Sequence, residues 1–382
     1  MIDISKLTRL WQVAVPAGGL TLMTTVLSCG DTPDPSPAAN QVDLQNASHY
    51  VEEGTARFKR GDEAGALRAF RLATRFDPNY APAFYSLGAV HYHKGGFRSA
   101  AEAYTRALEL DPSHRDAQYN LGHSLKRLGD IPGAEAAFRR SAELEPRRAR
   151  AYNNLGGLFY EADRLDSAIV VYERSIANRA ANANTYANLG SVLREKQRLD
   201  EAIATLRTAI EMNPEHLNAH YQLAHALRDI SKLREAIAEY RIVLRLRPNH
   251  ANAIYNTAKT LKMTGDLDEA EQAFRQAVTI DPGHSYAHNE LAILLAEQGH
   301  VEEAMEEYRL AVQLDGGLAS ARIGLANLLR DTGRHDEAVA QYRIVAESGD
   351  DEYLRRIAGK ILRAMGEPPS PSAPSPANTN RD

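Results

Sequence analysis

A stretch of 34 residues recurs end to end along this chain and leaves little freedom in how it can fold. One copy runs from Arg115 to Arg148, RDAQYNLGHSLKRLGDIPGAEAAFRRSAELEPRR; the next starts at Ala149 and the one before at Ala81. A fixed period of this length with two helical halves marks a solenoid of helix pairs, each packed on its neighbours. With position 1 at Arg115, position 20 reads Ala66, Ala100, Ala134, Ala168, Ala202, Ala236, Ala270, Ala304 and Ala338, which defines nine repeats. Their bounds are 47–80, 81–114, 115–148, 149–182, 183–216, 217–250, 251–284, 285–318 and 319–352. Position 8 is glycine from Gly54 to Gly190 and alanine from Ala224 to Ala326. Position 24 is aromatic throughout except at Leu206. Small residues at positions 8 and 20 let two helix backbones approach, and the aromatic fills the wedge between them. Gly61, Gly95, Gly129, Gly265, Gly299 and Gly333 fall where the first helix ends and its cap requires positive φ. Proline at position 32, as in Pro78, Pro112, Pro146, Pro214, Pro248 and Pro282, cannot continue the second helix. Ala180 and Gly316 stand in its place in two repeats, which marks the first junction as softer or otherwise closed and the second, Gly316-Gly317, as a bend.

The order aromatic, Leu-Gly, Ala-x-x-x-Phe, Pro resembles the tetratricopeptide repeat (TPR), over residues 47–352. That resemblance implies an all-α fold: a right-handed superhelical solenoid of nine helix-turn-helix repeats. Residues 353–365, YLRRIAGKILRAM, read as a capping helix with a basic outer face, and 366–382 as a disordered Pro/Ser-rich tail. The string Asn-Leu-Gly at Asn120, Asn154 and Asn188 is most similar to the repeats of O-linked N-acetylglucosamine transferases. Those enzymes carry a large catalytic domain after their repeats, and the 30 residues after Glu352 are too few to form one.

Net charge is −5, from 45 basic and 50 acidic residues, so the composition makes no electrostatic case for nucleic acid. The one cysteine, Cys29, excludes an intramolecular disulfide and ends a suggestive leader. Lys6 and Arg9 precede a mostly apolar run from Leu10 to Leu27, so 1–28 resemble a bacterial signal peptide. Val26-Leu27-Ser28-Cys29 resembles a lipobox, which implies a lipid on Cys29 and a membrane partner. The expected location is the bacterial cell envelope, with Gly30 weakly favouring the outer membrane and the repeats facing the periplasm. Residues 29–46 read as a flexible tether.

Positions 4, 8 and 11 of each first helix pack on the second, so positions 2, 6, 9 and 13 face the opposite way, into a groove. Position 6 carries Asn120, Asn154, Asn188 and Asn256, and position 2 carries Asn184, Asn218 and Asn252. A side-chain amide both donates and accepts, so such a ladder can pair with the backbone of an extended peptide of any sequence. In the transferases that this chain resembles, an asparagine ladder grips peptide backbone, which implies the same role here. Neighbouring charges at positions 12 and 13, such as Arg194 and Glu195, read as a mutually offsetting solvated face. His114, His216, His250 and His284 share position 34, a repeat signature rather than a ligand set, and no phosphate loop or His-Glu-x-x-His occurs. No cofactor and no catalytic residue are expected. The function expected is a non-enzymatic protein-interaction scaffold anchored at the envelope. Its rivals are an assembly factor of an envelope machine, pilotin-like or a peptidoglycan-hydrolase adaptor, and a substrate adaptor for a separate O-linked glycosyltransferase.

Overall fold

Position 20 sets the packing of every helix pair. All nine of its alanines, from Ala66 to Ala338, are fully buried, and the position-24 side chains are at most 5% exposed. A Cβ placed on Gly54, Gly88, Gly122 or Gly156 would fall within 2.8 Å of the ring at position 24 of its own repeat. The glycines therefore seat the rings directly on helix backbone. Alanine replaces them at Ala224, Ala258, Ala292 and Ala326, each fully buried.

The structure, a computed structural model, describes residues 37–348 and 351–367. Every regular element among them is helical. The chain divides into two compact units, Met1–Tyr80 and Ala81–Asp382. In the first, α1 (Pro37–Lys59) pairs with α2 (Glu63–Phe76), closed by Phe70 on Gly54 and by Tyr50 stacked on Phe76 at 5.3 Å. Glu53 and Arg57, which set this repeat apart, pair with each other at 2.7 Å, and Arg57 also reaches Asp62 at 3.1 Å. The helix begins well before the repeat, so residues 37–46 of the expected tether are helical. Pro37 suits a first helical position, and the alanines, glutamines and leucine after it are good helix formers.

In the second unit the helices follow in pairs: α3 (Ala81–His93) and α4 (Phe97–Leu110), α5 (Arg115–Leu128) and α6 (Ile131–Leu144), α7 (Ala149–Glu161) and α8 (Leu165–Ala177), α9 (Ala183–Glu195) and α10 (Leu199–Met212), α11 (Leu217–Asp229) and α12 (Leu233–Leu246), α13 (Ala251–Thr264) and α14 (Leu267–Ile280), α15 (Ser285–Glu297) and α16 (Val301–Leu314), α17 (Ala319–Asp331) and α18 (His335–Ser348). This is a TPR-type all-α solenoid. Its core runs continuously from pair to pair: one cluster joins Phe138 to Tyr172 and Leu193 across three repeats. α19 (Glu352–Ala364) covers the end, burying Ala358 and Leu362 beside Tyr342 and Val345 and turning Arg355, Arg356, Lys360 and Arg363 outward.

The turns repeat as faithfully as the core. The six turn glycines all have φ between +77° and +86°. The three middle repeats place Asp163, Gln197 and Ser231 there, at φ of 55°, 60° and 61°. Five of the turns before the first helices are Asx turns in which Asp77, Asp111, Asn213, Asp281 or Asp315 at position 31 accepts from the backbone two residues on, as Ser113 N–H donates to Asp111 at 3.0 Å. Gly316-Gly317 was the expected bend, yet it carries the same device, with Gly317 donating to Asp315 at 2.9 Å. Where proline is missing at Ala180, α8 ends early, Arg179 turns left-handed at φ 54°, and Asn182 caps α9 in a capping box with Thr185.

Candidate peptide-binding site

The seven predicted asparagines lie on the first helices of repeats three to seven. Those at position 6 are half-buried and those at position 2 exposed. Their hydrogen bonds divide them further. The Asn154 amide nitrogen donates to the Tyr119 hydroxyl at 3.0 Å and the Arg150 carbonyl at 2.8 Å, leaving its oxygen to accept. The Asn256 nitrogen donates in the same way to Tyr221 and the Asn252 carbonyl, but its oxygen already accepts from Arg228 at 2.9 Å. Asn120 donates to Tyr85 at 3.4 Å. Three of the four position-6 asparagines are therefore tied to a tyrosine 35 residues earlier, at position 5 of the preceding repeat.

That tyrosine is missing before Asn188, where position 5 is Asn153, and in the following repeat it is Ala187. An open cleft of about 460 Å³ lies there, lined by Arg150, Asn153, Asn154, Asn182, Asn184, Asn188, His216 and Asn218. The structure thus brings four predicted residues together, Asn154, Asn184, Asn188 and Asn218, and leaves Asn120, Asn252 and Asn256 outside. Arg150, Asn153, Asn182 and His216 were not foreseen. Three were visible as departures from their repeat columns, Asn153 where other repeats carry tyrosine, Asn182 at the capping position and Arg150 at position 2, whereas His216 conforms to its column and gave no such signal.

The walls of the cleft are held in place. Arg150 lies over the Tyr119 ring at 4.5 Å and pairs with Asp116 and with Glu145, the latter at 2.9 Å. Its guanidinium keeps the Asp116 carboxyl below the usual range. The Thr185 hydroxyl donates to Asn153 at 2.8 Å. His216 accepts the Ala219 N–H on Nδ1 at 3.1 Å, so Nε2 carries the proton and donates to Asn184 Oδ1 at 2.7 Å. Burial pushes the His216 pKa down, which preserves this neutral form. Asn184 therefore presents its amide N–H groups and Asn154 its oxygen: a donor and an acceptor on neighbouring repeats, as a peptide backbone requires.

The flanking polar residues are accounted for by packing. Lys126 pairs with Glu161 at 2.7 Å and Arg194 with Asp229 at 3.2 Å, across successive repeats. His114, His250 and His284 cap helices through Nδ1, as His216 does. Among the described residues no cluster of histidine, cysteine or carboxylate could hold a metal, and no helix is long and apolar enough to cross a membrane. Cys29 and the leader lie outside the described residues.

A solenoid of helix pairs of this kind is a protein-interaction scaffold. The chain belongs to the tetratricopeptide repeat family. The model of the cilia and flagella-associated protein 70 C-terminal TPR domain matches residues 18–253, more than half of the chain. Two tetratricopeptide repeat models match residues 261–316 and 319–343. No curated protein matches it. Among solved structures it resembles the anaphase-promoting-complex hetero-tetramer Cut9-Hcn1, at 16% identity and TM-score 0.51, covering 73% of this chain and 55% of that one. It is similar to YrrB, described as a TPR protein with an unusual peptide-binding site, at 26% identity and TM-score 0.43, over 49% of this chain and 97% of that one. It is similar also to Pseudomonas aeruginosa PilF, at 22% identity and TM-score 0.47, over 53% and 92%.

Proposed function

We propose that the chain is a non-enzymatic scaffold that holds an extended peptide segment across the first helices of repeats four to six. The observation that carries this reading is the interruption of the tyrosine ladder at Asn153 and Ala187, which leaves a cleft walled by six asparagines. Each amide-to-backbone hydrogen bond nets about 0.5–1.5 kcal/mol, so several reach about −8 kcal/mol, a micromolar affinity. The test is a crosslinked pull-down analysed by mass spectrometry, with Asn184, Asn188 and Asn218 changed to Ala as control. These side chains face the cleft, so helical circular dichroism stays intact. Partners that vanish with the triple change support the groove; partners retained in full by the variant sink it.

The resemblance of the leader to a lipobox supports the further reading that Cys29 carries a lipid and holds the scaffold at the bacterial cell envelope. Cys29→Ser then releases the protein from washed membranes. A variant that stays in the membrane fraction excludes the lipid anchor and leaves the groove reading untouched.

A further inference from the structure

The groove carries four cations at position 12 that meet the next repeat, and three of them face a carboxylate. Lys126 meets Glu161, Arg194 meets Asp229, and Lys262 meets Glu290 at 2.9 Å. Arg228 does not follow them. Its Nη1 donates to Asn256 Oδ1 at 2.9 Å and its Nη2 to His225 Nδ1 at 3.1 Å, both neutral groups. The Asp229 carboxylate lies 3.9 Å away and already accepts from Arg194. Two guanidiniums thus share one carboxylate, and the adjacent Glu195 is engaged by the Tyr160 hydroxyl. The same junction leaves polar atoms unused: Arg194 Nε and Gln222 Oε1 are buried with no partner among the described residues. His225 adds no charge, because it accepts on Nδ1; burial, then Arg228 and Arg194, push its pKa down to about 3.

We propose that Arg228 is the centre of a carboxylate subsite, so that the peptide held in the cleft carries an acidic group; this rests on the groove reading above. The Arg228 side chain is 20% exposed, within reach of a ligand but poorly solvated. A charge-assisted, forked hydrogen bond is stronger there than in open water. From Asn218 to Arg228 is ten residues along α11, about 15 Å at 1.5 Å per residue. An extended chain crosses that distance in about four to five residues, which sets the spacing between the backbone-gripping cleft and the acid.

The test uses the full chain and amidated peptides of Gly, Ser, Ala and Thr, about 12 residues long, enough to span the groove at about 3.3 Å per residue. One carries a central Glu and its twin a Gln; a third is the Gln peptide with a free terminal carboxylate. Fluorescence anisotropy is expected to show the Glu peptide binding about tenfold tighter than the Gln peptide. Arg228→Gln abolishes that preference and leaves the Gln peptide unchanged, while Arg228→Lys keeps part of it, since lysine retains charge without the fork. A free-acid peptide that gains as much as the Glu peptide keeps the subsite and assigns it to a chain terminus. Equal binding of Glu and Gln peptides overturns the subsite and spares the groove; a preference that survives Arg228→Gln overturns the role of Arg228. Binding of none of the three overturns both.

Discussion

Single residues show where this sequence conforms to its repeat and where it departs from it. At the turn after each first helix the backbone is left-handed, which costs an L-residue about 1–2 kcal/mol. Six repeats use glycine there, and Asp163, Gln197 and Ser231 do not. Glycine relieves the clash but loses more backbone entropy on folding, by about 0.5–1 kcal/mol. Gln197→Gly is therefore expected to stabilise by about 0.5–1 kcal/mol, and Asp163→Gly by less, because aspartate tolerates this region. Urea denaturation reads this as a raised midpoint at unchanged slope; a lowered midpoint for Gln197→Gly contradicts the argument. The turn glycines, the buried alanines and the packed aromatics were all legible, because each recurs at one phase of the repeat, six, nine and eight times, under one steric demand. The hydrogen bonds of the asparagines were not. Asn154 and Asn256 choose their partners 35 residues away, and that choice depends on whether the preceding repeat supplies a tyrosine.

At the scale of the element, one polar clip joins a first helix both to its second helix and to the turn before it. His220 Nδ1 faces the Glu239 carboxylate at 2.5 Å and its Nε2 the Pro214 carbonyl at 2.9 Å. His288 repeats this with Glu307 at 2.5 Å and Pro282 at 3.1 Å. In repeat nine Arg322 occupies the same position, donating to Gly316 and Gln341. Both ring nitrogens face acceptors, so each clip needs an imidazolium, and the Glu hydrogen bonds raise both pKa values above 6.5. Asp281 adds to the effect at His288, while burial opposes it at both and Arg245 at His220. A raised folded pKa means stability that is complete below pH 6.5 and lost as pH climbs through the folded value. Double substitution His220→Arg, His288→Arg, copying Arg322, is expected to flatten stability above pH 6.5, measured by urea midpoint, while the native chain declines. An equal decline in both places the pH dependence elsewhere. Arg322 at position 4 was readable as an oddity of the sequence, but its equivalence to two histidines shows only when the acceptors at positions 23 and 32 are seen to converge.

For the molecule as a whole, stability is divided among neighbours, because each pair in Ala81–Asp382 packs on the pairs beside it. Ala180 was read as a softer or otherwise closed junction, and contacts close it: Asn182 caps α9, Asn178 donates to Tyr152 at 2.8 Å, and Ala180 itself is buried. The same side chain that closes this junction also walls the cleft. Asn182→Ala removes the cap, at about 1 kcal/mol, and frees Thr185 and Asn153 from their shared bonds. The expected outcome is local. Backbone hydrogen exchange speeds up in α7 to α10 and stays unchanged from α13 to α18, and peptide affinity falls with it. The two effects are coupled because the cleft exists only while repeats four and five keep their register. Exchange that quickens evenly along the whole solenoid argues instead for one cooperative unit, in which a lost cap anywhere loosens the cleft. Exchange that quickens locally while affinity holds separates the cap from the wall, and leaves Asn184, Asn188 and Asn218 as the side chains that grip the ligand.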